Sequence, residues 1–222
     1  MRRAAHLCSQ TCGQVYLEIG FSTGEIARAI DQRGSTAGRW ISGAYLGEGP
    51  VCNRLIGWIS SRSAKGVVLA WPRRPQPESE LALLRLCRAC DRSGCPTVVI
   101  LPAAAHSLND PLVRTLGAAA DSRTKLLSPC SLDRCGAHED LRLFGLRTGL
   151  PPDTGAACCH LRSTSDRPSP YIHLRNDTAQ WILEWLHLSC MRLAEAPSNA
   201  IISNGRPDAR YGAAMGQSAA LF

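Results

Sequence analysis

Aromatic side chains make up only 5% of this 222-residue chain, and many of its apolar residues are alanine, so few large rings are available to fill a core. No G-x-S-x-G stretch occurs, which excludes the strained serine turn of a hydrolase; Phe21-Ser22-Thr23-Gly24 is a poor substitute for it. No apolar run approaches the length of a membrane span, and Met1 to Cys8 lacks the long apolar stretch of a secretory signal. Neither a membrane partner nor secretion is therefore expected. Dense Lys/Arg tracts are also missing. The net charge of +7 comes from scattered, mostly arginine side chains, which suits either a solvated surface or contact with a polyanion such as nucleic acid. Cysteine is plentiful, but eleven is an odd number and the spacings are irregular, so free thiols in a reducing compartment are expected. The expected location is intracellular, with nucleus and cytoplasm both open.

The length suits one domain with a sizeable core. Its most informative stretch is Val15-Tyr16-Leu17-Glu18-Ile19-Gly20-Phe21-Ser22-Thr23-Gly24, followed by Glu25 to Ile30 at helical spacing. This reads as strand, glycine turn and helix, the opening of a nucleotide-binding α/β unit. Glycines let backbone approach a ligand, and a helix N-terminus offers free N–H groups. Further strands are expected at Ala37–Ser42, Gly66–Ala70, Pro96–Leu101, Thr124–Leu127, Leu141–Leu146 and Tyr171–Leu174. Helices are expected at Val51–Ser60, Ser79–Arg92 (with Leu81, Leu84, Leu86 and Cys87 on one stripe), Pro111–Ala120 and Thr178–Ala194. No internal repeat is present. Alternation of strand and helix predicts an α/β, Rossmann-like, mostly parallel sheet covered on both faces. Residues 1–13 read as an N-terminal extension, 14–196 as the domain, and 197–222, rich in Gly, Ala, Ser and Asn, as a mobile tail.

The spacing Glu18-x-Gly20-x-x-x-Gly24 resembles motif I of the S-adenosylmethionine-dependent methyltransferases, whose usual form is E-x-G-x-G-x-G; Ser22 stands at the middle glycine. The order of the later segments is similar to that of the cytosine-C5 DNA methyltransferase family, and to diverged methyltransferase-like segments of some retroelement-type polyproteins. Gly66 to Arg73 falls where that family has a strand ending in Pro-Pro-Cys. Pro96 to Ala103 falls where it has a strand ending in Glu-Asn. Pro129-Cys130 through Leu141–Leu146 resembles the strand pair after that motif, and Asp166 to Leu174 a segment near the domain's end. The likeness is collinear from Val15 to Leu174.

In that family a cysteine thiolate adds to C6 of a flipped cytosine, a glutamate holds the ring, and the cofactor supplies the methyl group. Here the nucleophile's position reads Trp71-Pro72-Arg73, and the glutamate's position reads Ile100-Leu101. Arginine is always protonated and only donates hydrogen bonds, so Arg73 cannot be that nucleophile. Between Asp31 and Glu78 the only carboxylate is Glu48, so an acidic partner for the cofactor's ribose is missing after the second strand. The resemblance leaves Glu18, Gly20, Thr23, Gly24 and Glu48 as candidate cofactor-binding residues, and Pro72, Arg73, Ile100 and Leu101 as degenerate catalytic positions. It implies S-adenosylmethionine as the cofactor, with weak or absent binding expected.

Two further patterns compete with plainer readings. Cys87-x-x-Cys90-x-x-x-x-Cys95 has the spacing of three zinc ligands without a fourth, or of small core residues on a helix. Cys130, Cys135, Cys158 and Cys159 with His138 and His160 are a looser candidate. Trp181, Trp185 and Leu188 read as helix packing rather than a base-stacking platform. The expected function is a methyltransferase-like domain without cytosine-methylating activity, serving as a binding or scaffold module with nucleic acid as candidate partner. The alternatives are an active S-adenosylmethionine-dependent methyltransferase on another substrate, and a decayed mobile-element fragment.

Overall fold

The structure is a computed structural model that describes residues 15–33, 38–74, 76–103, 109–119, 124–127, 141–152, 170–174 and 176–195. The extension expected at 1–13, the tail at 197–222, and Cys130, Cys135, His138, Cys158, Cys159 and His160 lie outside the described residues.

Among the described residues six strands form one sheet: β1 (Val15–Gly20), β2 (Gly38–Ser42), β3 (Ala64–Ala70), β4 (Thr97–Pro102), β5 (Thr124–Leu127) and β6 (Leu141–Leu146), in the order β2-β1-β3-β4-β6-β5. β2, β1, β3 and β4 are parallel, and β6 runs antiparallel to both β4 and β5. Three of the expected strands, β1, β3 and β4, lie side by side. Helices α1 (Glu25–Gln32), α2 (Gly49–Ser60), α3 (Pro77–Ser93), α4 (Pro111–Ala119) and α5 (Asn176–Glu195) complete the order. This is a mostly parallel sheet with helices on both faces, a generic Rossmann-like α/β architecture.

Strand alternation sorts the core into two layers. Leu17, Ile19, Val67, Leu69, Val99 and Leu101 point towards α2, α3 and α4. Tyr16, Val68, Ala70, Val98 and Ile100 point towards α1 and α5. Because both faces are covered, β4 is buried along its whole length. Trp181 and Trp185 of α5 pack with tilted rings 5.6 Å apart and donate their indole N–H groups to Pro152 O and Gly149 O, the packing role expected of them, whereas Leu188, expected on the same stripe, is exposed.

Local sequence explains α3. Pro77 opens it, Glu78 and Glu80 complement the helix dipole in its first turn, and Gly94 in the left-handed region (φ 70°) ends it. Its core face differs from the expected stripe: Ala82, Leu83, Leu86, Cys87 and Cys90 are buried, whereas Leu81 is 46% exposed. The reason is that α2 packs against α3 through Cys52 and Leu55, and this fixes which side turns inward. At Tyr171–Leu174 a strand was expected. The structure has a single bridge there, Ile172 to Ser22, because the segment crosses the end of the sheet instead of joining its ladder.

Candidate functional site

From β1 the chain turns outward to β2, then returns across β1 to β3. Ligands of open α/β sheets bind beyond the carboxyl ends of the strands where the order reverses, here between β1 and β3. Gly20 and Ala70 pair at that point. The Gly20 backbone has φ +114°, and a Cβ there would lie 2.2 Å from the Ala70 carbonyl oxygen, so only glycine fits. The Phe21 N–H donates to the same oxygen at 2.9 Å, and Gly24 (φ +82°) leads into α1.

Glu18 is fully buried beneath the start of α1. Its Oε2 accepts the Ala27 N–H at 2.7 Å, filling one of the orphan donors of a helix whose own N-cap, Gly24, has no side chain to offer. Burial pushes the Glu18 carboxyl up from an ordinary 4.5 to about 7. The Ala27 N–H and the nearby Ser22 hydroxyl pull it down, and the Glu25 charge pushes it up. That hydroxyl is close enough to act on the charge, yet makes no hydrogen bond of normal geometry with it. Glu18 Oε1, Ser22 Oγ and Glu25 Oε2 are buried without a hydrogen-bond partner among the described residues. Thr23 Oγ1 donates to Glu25 and lies 3.4 Å from His173 Nδ1. With Glu18 and Glu25 at its first turn, α1 presents carboxylate where comparable helices receive phosphate.

The crevice itself is occupied by the chain. Phe21 is buried and its ring fills the space over Gly43, where a Cβ would come within 2.5 Å of it. Tyr171 packs on Phe21 with ring centroids 5.5 Å apart, and its hydroxyl shares a 2.7 Å hydrogen bond with Ser42 at the end of β2. The Ile172 N–H donates to Phe21 O at 2.6 Å. Trp40 covers the turn from the β2 side, its indole against Gly24 and its Nε1–H donating to Ser22 O at 3.1 Å.

The candidate positions separate accordingly. Glu18, Gly20, Thr23 and Gly24 are together at the turn, whereas Glu48 is the exposed residue at the start of α2. Pro72 is buried. Arg73 is half-buried past the end of β3, its backbone N–H donating to Pro170 O at 3.2 Å, next to Tyr171, which covers Phe21. Ile100 and Leu101 are fully buried in opposite core layers, and the Ile100 carbonyl accepts the Trp71 N–H. Trp40, Ser42, Tyr171 and His173 were not singled out from sequence. A tryptophan on a short strand of an aromatic-poor chain was the one available signal. Nothing local pointed to Tyr171, whose contacts are made across more than a hundred residues.

Cys87, Cys90 and Cys95 are buried thiols, and among the described residues no group of three or more His, Cys, Asp or Glu could hold a metal. Burial raises the Cys87 thiol well above its usual range. No described helix is long and apolar enough to cross a membrane. No family model, curated protein or solved structure matches the chain.

Proposed function

We propose that this chain is a methyltransferase-like α/β domain without cytosine-methylating chemistry, acting as a binding or scaffold module for nucleic acid. The observation that carries the reading is the occupied crevice: Phe21, seated over Gly43 and under Tyr171, takes the space at the carboxyl ends of β1 and β2. The residues do not fit S-adenosylmethionine. Ser22 buries its side chain where backbone should meet ligand, and Ser42, at the end of β2, gives its hydroxyl to Tyr171 instead of presenting a carboxylate to a ribose. The nucleophile's position is Arg73, which has no thiolate to offer, and the aliphatic Ile100 and Leu101 are buried.

Calorimetric titration with S-adenosylmethionine tests this reading. Losing one charge-assisted hydrogen bond weakens binding by roughly tenfold to over a hundredfold, so no micromolar affinity is expected. Micromolar binding, or methyl transfer to any substrate, would overturn the reading in favour of an active methyltransferase.

A further inference from the structure

The segment over the crevice and the acids beneath it are joined through one short turn. Residues 170–174 cross the end of the sheet, and they meet the turn at Phe21, Ser22 and Thr23. The Ile172 N–H donates to Phe21 O at 2.6 Å, Ile172 bridges to Ser22, and His173 Nδ1 lies 3.4 Å from Thr23 Oγ1. Tyr171 adds its ring on Phe21 and its hydroxyl on Ser42. Ser22 belongs to both sides of the turn: its backbone pairs with Ile172, whereas its buried Oγ acts on the Glu18 carboxyl. Glu18 Oε1, Ser22 Oγ and Glu25 Oε2 are buried without a partner among the described residues. A negative charge on Glu18 therefore meets a second acid and, besides the Ala27 N–H, little to stabilise it.

The charged groups on the surrounding elements leave that balance in place. On α1, the exposed Arg28 lies 3.7 Å from Glu25 Oε1 and donates to the Thr23 and Gly24 carbonyls, and Asp31 holds the Gly38 N–H. Arg39 of β2 alternates with Gly38 and Trp40, which meet α1, so it faces the other side of the sheet. Lys65 of β3 lies over the Tyr16 ring, near the start of β1. Glu184 and His187 of α5 are exposed, and His173 is on the covering segment itself. The charge that bears on Glu18 is that of Glu25, and it opposes ionisation.

We propose that residues 170–174 form a pH-sensitive strap, which ionisation of Glu18 releases from the crevice by lifting the turn at residues 21–23. The inference takes only the occupied crevice from the proposed function and adds what opens it. Lifting the turn brings the three orphaned oxygens to water, which an ionised Glu18 needs and a protonated one does not. The strap is the part able to leave, because one bridge and a few hydrogen bonds tie it down while β1, β2 and β3 keep their ladders. Ile172 and Leu174 are buried against α1 and α5, so the strap stays seated until the turn moves. Glu18 titrates near 7 in the closed form against an ordinary 4.5 once open. The advantage of the closed form is thus full below about 4.5 and is lost as pH rises through 7. Between pH 5.5 and pH 8 the open population should rise about 25-fold.

The test is hydrogen–deuterium exchange of the full chain at pH 5.5 and pH 8, read by mass spectrometry of peptides over the turn, the strap and β4. Rates are divided by those of an unfolded chain at the same pH. β4 is buried along its whole length and reports opening of the entire fold. The turn and strap should exchange faster than β4 at both pH values, and their opening should rise about 25-fold at pH 8. In Glu18→Gln, which has no proton to lose, the rise should vanish. If that variant does not fold, Glu25→Gln serves. Without the neighbouring charge Glu18 returns towards its ordinary range, so the rise should be smaller than in wild type. A rise in the folded variant equal to that of wild type would overturn the switch, as would a strap that opens only together with β4. Either result leaves the occupied crevice standing. A strap already unprotected at pH 5.5 would overturn both.

Discussion

Replacing Glu18 with glutamine should change how stability depends on pH, and the direction follows from burial. The Glu18 carboxyl titrates near 7 in the fold against an ordinary 4.5, so between those values the folded chain holds a proton that the unfolded chain has released. Stability from this group is therefore fully present below about 4.5 and is lost as pH rises through 7. At about 1.36 kcal/mol per pKa unit, the loss is about 3 kcal/mol. For a chain of this length that corresponds to roughly 6–12 °C in Tm. Glutamine keeps a carbonyl to accept the Ala27 N–H, places an amide donor beside the unpartnered Ser22 Oγ, and has no proton to lose. Protonated Glu18 and glutamine both offer a neutral carbonyl, so the two proteins should match below about pH 4.5 and E18Q should exceed wild type at pH 8 by about 3 kcal/mol. Urea melts of both proteins from pH 5 to pH 8 measure this. Every other titrating group is common to both, so the difference between the two profiles isolates Glu18. Parallel profiles would refute the reasoning and place a hydrated or charge-paired carboxyl beneath α1.

Gly20→Ala should destabilise the chain by more than about 3 kcal/mol, because the new Cβ meets the Ala70 carbonyl and φ is +114°; thermal melts and soluble yield report it. Tyr171→Phe removes the hydroxyl bonded to Ser42 and leaves the ring on Phe21, so a loss of about 1 kcal/mol in urea midpoint analysis is expected, whereas no change would mean that this bond holds nothing in place. Iodoacetamide applied to the native chain should leave Cys52, Cys87, Cys90 and Cys95 unlabelled in peptide mass spectra, since all are buried and burial raises the Cys52 and Cys87 thiols. Rapid labelling of any of them would contradict the packing of α2 on α3.

The parts of the fold legible in the sequence are those set by short-range rules. Apolar runs closed by Gly or Pro gave β1, β3 and β4, and helical spacing with end signals gave α3 and α5 to within a few residues. Which face of α3 turned inward was not legible, since Leu81 and Leu83 both satisfy a helical period and only the position of α2 separates them. The site was half legible for the same reason. Gly20 and Gly24 announce a turn from their own spacing. That Phe21 would lie over Gly43, and that Tyr171 would reach Ser42, depends on three segments meeting at one end of the sheet.

The mixture of present and missing motif residues has a physical order. Gly20 is required because a Cβ would strike the Ala70 carbonyl; Gly24 because the chain enters α1 from the left-handed region against Trp40; Glu18 because α1 otherwise starts without a side-chain cap. Each of these serves the strand–turn–helix unit itself, with no ligand involved. The positions at which the chain departs from the resembled pattern are those that such a unit does not need: Ser22 at the middle glycine, Ser42 without a carboxylate at the end of β2, Arg73 for the nucleophile, and Ile100-Leu101 for the Glu-Asn pair. Two of these positions are core, since Ile100 and Leu101 are fully buried in an apolar sheet. Placing a glutamate at Ile100 would bury an unpaired carboxyl between β4 and α5, at a penalty of several kcal/mol. Two positions that the resemblance sets against the family's Glu-Asn thus belong to the apolar layers on either side of β4, where an acidic side chain does not fit.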